Sequence, residues 1–216
     1  MQTLKIDIVS DVVCPWCVIG YKRLEIAMEE LRDELAFDID WHPFELNPDM
    51  PPEGENIVDH ITRKYGTTAE ASAQTRQRIA QIGEDLGFEF RMTDDRRIYN
   101  TFDAHRVLHW AREQGVQLAF NLALFEAYFT HGENPADPDV LRRIASALGL
   151  DDSAVTAILD GDDHAEAVRR EEAVYTEAGI HAVPAYIINE KYLISGGQEP
   201  ATFVRAFRSI AEEAVA

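Results

Sequence analysis

Apolar and polar side chains alternate from Thr3 until the consecutive pair Ile8-Val9, a pattern that predicts a short buried strand. Ser10-Asp11 breaks it. Beyond Pro15, Leu24, Met28, Leu31 and Leu35 recur at i, i+4, i+7 and i+11, one stripe of a helix. Proline suits the first position of that helix, where an N–H would have no helical partner, and this places Cys14 at the N-cap. Period two returns between Phe37 and Phe44, with Phe37, Ile39 and Trp41 alternating against Asp38, Asp40 and His42. Strand, helix and strand in this order predict a βαβ unit with parallel strands and a right-handed crossover.

Pro43, Pro48, Pro51, Pro52 and Gly54 then mark a loop. After it the periodicity is helical with almost no strand signal, predicting helices near 56–65, 68–86, 100–114, 117–131, 138–148 and 152–159. Gly87, Gly115, Gly132 and Gly149 stand where C-terminal caps are expected. Leu118, Leu122, Phe125 and Phe129 make one stripe, and Phe120 and Leu124 a second, so this helix should be buried on more than one side. A helix near 163–178 precedes a strand over 182–188, a tight turn at Asn189-Glu190, a strand over 191–195 and a last helix near 200–214. The fold class is α/β: residues 1–45 and 161–216 form one discontinuous unit, and 46–160 are an all-helical insertion.

Composition narrows the partners. Lys plus Arg number 20 against 39 Asp plus Glu, a formal charge of -19. Such a surface repels phosphate backbones and anionic lipid, so neither nucleic acid nor a membrane is expected as partner. No stretch approaches the roughly 18 apolar residues of a membrane span, and Met1–Ser10 has no basic leader before an apolar run, so the cytoplasm is the expected compartment. The two cysteines are too few and too close for a secreted disulfide framework.

Those two, Cys14 and Cys17, share a C-x-x-C spacing at the mouth of a helix after a strand. First-turn N–H groups and the helix dipole favour a thiolate at Cys14, while Cys17 lies within reach but more sheltered inside the first turn. The spacing predicts attack by Cys14, a mixed disulfide, and release by Cys17, with Pro15 and Trp16 tuning the pair. A zinc site would need further ligands from elsewhere in the chain. An inert buried pair or a non-enzymatic redox sensor are the other readings of the same residues.

Ser10-Asp11-Val12-Val13-Cys14-Pro15-Trp16-Cys17, Trp41-His42-Pro43-Phe44-Glu45-Leu46, Asn100-Thr101-Phe102-Asp103-Ala104-His105-Arg106 and Gly179-Ile180-His181-Ala182-Val183-Pro184 together resemble the DsbA-like, FrnE-type thiol–disulfide oxidoreductases of the thioredoxin superfamily. The resemblance covers essentially the whole chain and implies a thioredoxin-like fold with a helical insertion. It also implies a cis Pro184 facing the active cysteine and a Val183 backbone that pairs with an extended substrate or glutathione. Related 2-hydroxychromene-2-carboxylate isomerases and kappa-class glutathione transferases carry serine at the position matching Cys14 and use glutathione. By that likeness Asn100, with Phe102 and His105, is carried over as lining a substrate cleft, and a glutathione-dependent isomerase or transferase of an aromatic or polyketide-like molecule is the alternative function. The expectation is disulfide- or thiol-bearing protein or peptide substrates, no metal or bound cofactor, and glutathione or another thiol as possible co-substrate.

Other polar residues read more plainly. His105 and His109, at i and i+4, are expected to flank the apolar stripe Ala104, Val107, Leu108 and Ala111. His42 is expected to cap the surface, and Asp94-Asp95 and Asp162-Asp163 to be solvated turns or helix caps. Gly196-Gly197 lacks the strand–loop–helix setting of a phosphate loop.

Overall fold

Leu4, Ile6 and Ile8 are fully buried along one face of the first strand, and they fix it at the centre of a four-stranded sheet. The computed structural model describes residues 1–214, so the last two residues of the predicted 161–216 segment lie outside the described residues. In chain order, β1 (Gln2–Ser10), α1 (Pro15–Glu30) and β2 (Leu35–Pro43) form the expected βαβ unit, with β1 and β2 parallel from Gln2↔Leu35 to Ser10↔Pro43. β3 (Glu55–Asn56), α2 (Ile57–Tyr65), α3 (Ala69–Asp85), β4 (Arg97–Ile98), α4 (Phe102–Glu113), α5 (Gln117–Phe125), α6 (Pro138–Ala147) and α7 (Asp152–Asp160) follow. α8 (Ala165–Glu177), β5 (Ala185–Ile188), β6 (Tyr192–Ser195) and α9 (Pro200–Glu213) close the chain. The sheet order is β2-β1-β5-β6, with β5 antiparallel to both β1 and β6.

α1 and α9 cover the face that carries Leu4, Ile6 and Ile8, with Phe203 and Phe207 buried against Tyr186 and Phe37. The helical segment joins the same core through Trp41, whose ring meets Tyr21 at 5.2 Å and Phe125 at 6.0 Å. β2 is an edge strand, and Gln117 from α5 closes it as a neighbouring strand would. Its Oε1 accepts from Trp41 N (3.1 Å) and its Nε2 donates to Trp41 O (2.9 Å).

Several expectations shift in detail. Leu35 belongs to β2 rather than to the helical stripe, because α1 ends at Glu30 and the chain turns at Leu31. The helical region contains a short antiparallel pair, β3 with β4, which two residues of pairing cannot announce in sequence. The helix expected over 117–131 is α5 followed by a π-helix, Glu126–Thr130, which leaves Ala127, Tyr128, Phe129 and Thr130 all buried, while Leu118 is 36% exposed. The turn glycines behave as expected: Gly87, Gly115, Gly132 and Gly149 all have positive φ. So do Asn189 (52°) and Glu190 (57°), which with Lys191 connect β5 to β6 in a three-residue hairpin loop, so β6 starts one residue later than expected.

Close backbone approach decides one position. A Cβ added at Gly20 would land on the hydroxyl of fully buried Tyr186 and lie 3.1 Å from Gly197 Cα and 3.2 Å from Pro184 Cγ. Alanine in a helix normally gains up to about 1 kcal/mol over glycine; here overpacking of about 1–3 kcal/mol reverses the sign. Gly20→Ala should therefore unfold at a lower denaturant concentration than the parent, and an equal or higher midpoint would contradict the packing described.

Candidate active site

The turn between β1 and α1 is organised by Asp11, which is fully buried. Its carboxylate accepts from Val13 N (3.4 Å) and Leu46 N (2.7 Å), and its carbonyl accepts from Cys14 N (3.0 Å). A buried carboxylate needs such partners, because unsolvated charge is costly. His105, also buried, stands 3.7 Å away and donates from Nε2 to Phe44 O (3.1 Å). Burial would lower the His105 pKa, but the hydrogen bond and charge of Asp11 outweigh it and the pKa is raised. One pair thus joins the active-site turn, the segment after β2 and α4.

Cys14 is the N-cap of α1 and Pro15 its first residue, as the sequence predicts. Both cysteines are free, approach each other to 3.3 Å, and are buried at 4% and 1% exposure. Burial pushes the Cys17 thiol well above its ordinary pKa, reinforced by the neighbouring Cys14. The Cys14 thiol points at Val183 O, 3.8 Å away, on the cis Val183–Pro184 peptide that precedes β5.

Cys14, Pro15, Trp16 and Val183 open onto a cavity of about 720 Å³ between the sheet end and α2, α3 and the π-helix. Its lining is basic in an otherwise acidic protein: His60, Lys64, Arg76, Arg96 and His181 are all at its wall. Arg96 is buried and stacked on Tyr128 (4.0 Å) and Phe129 (4.8 Å), and it donates to the carbonyls of Phe129 (3.3 Å) and Arg91 (3.2 Å). Arg76 is bonded to Ser72 Oγ (2.8 Å) and to Asp94, so Asp94 is an anchor as well as a turn residue.

Glu45 is the one acidic residue of that lining. Burial and the neighbouring charge of Glu172 raise its pKa to about 7, while Arg169 and His105 pull the other way. One of its oxygens is buried without a hydrogen-bond partner. The sequence places Glu45 in a family-like motif but gives no sign of its partners, which come from α4 and α8.

The remaining sequence candidates fall elsewhere. Asn100 caps the start of α4, accepting from Phe102 N (2.9 Å) and donating to Pro48 O (3.0 Å). Phe102 lies under the Arg169 guanidinium at 3.7 Å, and neither residue, nor His105, lines the cavity beside Cys14. His42 does not cap the surface. Its Nε2 is 3.0 Å from buried Asp7, and its Nδ1 is 3.4 Å from Glu171. Glu171 also meets His109 (3.3 Å) and Arg112; burial would raise its pKa, but these hydrogen bonds hold it well below the usual range.

Residues 5–208 match the model of a DSBA-like thioredoxin domain family. The YwbO protein of Bacillus subtilis (strain 168) is 28% identical over 206 residues, covering 95% of this chain and 96% of that protein. The probable DsbA oxidoreductase SCO1869 of Streptomyces coelicolor superposes with a TM-score of 0.90 at 29% identity, covering 97% of this chain and 91% of the other. A 2-hydroxychromene-2-carboxylate isomerase shares the fold with a TM-score of 0.72 at 13% identity over 98% of both chains.

The raised pKa of Glu45 has a signed consequence for stability. The unfolded chain releases this proton near the ordinary 4.5 and the native protein near 7, so the native state holds more protons in between and loses stability as pH rises through that window. Glu45→Gln should flatten the decline of the urea midpoint between pH 5 and pH 8 (roughly the window of such a shift). Parallel curves for variant and parent would exclude the assignment.

Proposed function

The chain belongs to the DSBA-like thioredoxin domain family, and on that premise we propose that it is a thiol–disulfide oxidoreductase working through the Cys14-Pro15-Trp16-Cys17 dithiol. The observation that carries this reading is the pair itself: two free cysteines within 3.3 Å at a helix N-terminus, one of them lining a cavity wide enough for a substrate.

The helix end favours negative charge on the N-cap sulfur, whereas burial keeps Cys17 protonated, so Cys14 is the attacking group. Its thiolate attacks one sulfur of a substrate disulfide. A Cys14–substrate bond forms, the substrate's S–S bond breaks, and the departing thiolate takes up a proton. Cys17 then loses its proton and attacks the Cys14 sulfur, releasing the second substrate thiol and leaving a Cys14–Cys17 disulfide; two electrons have passed to the substrate. The reverse sequence oxidises a dithiol. Val183, beside Cys14, offers its backbone to an extended substrate. Asn100, Phe102 and His105 act in this reading through the shape of the turn and of the segment after β2.

Lys64, Arg76 and Arg96 suit a small anionic thiol, and glutathione is the proposed recycling co-substrate of the dithiol. Thiol- or disulfide-bearing proteins and peptides are the partners, and the cytoplasm is the compartment; among the described residues no helix is long and apolar enough to cross a membrane. The volume of the cavity favours one second reading, glutathione-dependent isomerisation or transfer on an aromatic or polyketide-like molecule.

Insulin reduction with glutathione as donor separates these. Cys14→Ser should abolish it, and Cys17→Ser should accumulate a mixed disulfide visible by intact mass. Disulfide turnover that persists in Cys14→Ser would defeat the mechanism, and small-molecule turnover persisting there would favour the second reading. Iodoacetamide near neutral pH should modify Cys14 well before Cys17.

A further inference from the structure

His109 is left unused by the redox site, and the structure gives it, besides Glu113 at i+4, a neighbour that no sequence spacing suggests. His105, four residues earlier, turns to Asp11, whereas His109 turns the other way, to Glu113 on the same helix and to His164 in the α7–α8 loop. His109 Nε2 is 3.8 Å from Glu113 Oε1, His164 Nδ1 is 3.9 Å from the same oxygen, and the three donor atoms all lie within 4.8 Å of one another. The imidazole rings stand 5.2 Å apart. Donors around a tetrahedral zinc ion at about 2.1 Å are about 3.4 Å apart, so the two imidazoles as well as exposed Glu113 draw inward to close the set.

Two features of the surroundings bear on an ion there. Behind His109, Glu171 lies 3.3 Å from Nδ1. Once Nδ1 is released from Arg112, a proton there donated to that carboxylate leaves Nε2 free as a ligand, the arrangement that orients metal-binding histidines. Arg112 Nη2, bonded to Glu171 and 3.0 Å from the same Nδ1, can only donate there, so it must turn wholly onto Glu171 when the ion binds. The second feature is the backbone of His164, at φ 61° and ψ -4°. It is the N-cap of α8, yet its side chain caps nothing. Buried Arg106 holds the loop in that conformation by donating to the carbonyls of Ile158, Gly161 (2.6 Å) and Asp163 (3.0 Å). The left-handed residue thus turns its imidazole towards α4, where His109 and Glu113 already face it.

We propose that His109 Nε2, Glu113 Oε1 and His164 Nδ1 bind one zinc-class divalent transition-metal ion, with the fourth position open to water. Two imidazoles and a carboxylate select such an ion over magnesium or calcium. The ion clamps α4 to the start of α8, and it does so independently of the dithiol.

Because vicinal thiols also bind zinc, the test uses the full chain with Cys14→Ser and Cys17→Ser, stripped with chelator. Calorimetry with Zn(II) should give one equivalent, and Co(II) should give the visible bands of a tetrahedral site. His164→Ala and Glu113→Gln should each weaken Zn(II) binding at least tenfold, while His131→Ala leaves it unchanged. In the unmutated histidine background, Zn(II) should shift the ring resonances of His109 and His164, a readout that holds even if a variant folds poorly. No uptake of Zn(II), undiminished uptake in both ligand variants, or ring shifts confined to other histidines would each overturn the site.

Discussion

A single buried carboxylate holds the active-site end of the molecule together. Asp11 is fully buried, and three segments touch it: the turn into α1 through Val13, the segment after β2 through Leu46, and α4 through His105. Unpaired, such a charge would be costly; paired, it converts three separate chain segments into one frame. Cys14 hangs from that frame by its own N–H, which donates to the Asp11 carbonyl. The geometry of the thiol at the helix mouth is therefore tied to the residue that carries this carboxylate.

The same frame separates two electrostatic regions. Outside, the chain carries a formal charge of -19. Inside, beside Cys14, the wall of the cavity presents lysine and arginine from α2, α3 and the approach to β4. Counter-ions weaken the outer field beyond about 8 Å at physiological salt, whereas Arg96 and Arg76 are buried and screened far less. Arg96 in turn depends on the π-helix, whose Tyr128 and Phe129 supply both the aromatic faces and the carbonyls that hold it.

The sequence reveals what is local. The β1–α1–β2 unit, the N-cap cysteine, the glycine caps and the Asn189-Glu190 turn each rest on neighbouring residues whose pattern has a direct physical meaning. The site beyond the cysteines is assembled across long separations and leaves no such pattern. Glu45 meets Arg169 and Glu172, and the lysine and arginines of the cavity come from positions 64 to 96, on elements that nothing in the linear order brings together. His42 is misjudged for the same reason: its partners Asp7 and Glu171 lie on another strand and a distant helix. Asn100 and Phe102 carry a motif whose visible work is to start α4.

The seclusion of the cysteines bears on what can react. With Cys14 only 4% exposed and set in the wall of the cavity, the sulfur is reached from inside that recess. A disulfide tucked into a rigid globule has too broad a profile to enter, whereas a tripeptide or a loosened loop is slim enough. If the dithiol works as proposed, admission by girth would come before any recognition of side chains and would favour slender partners over the finished disulfides of folded proteins.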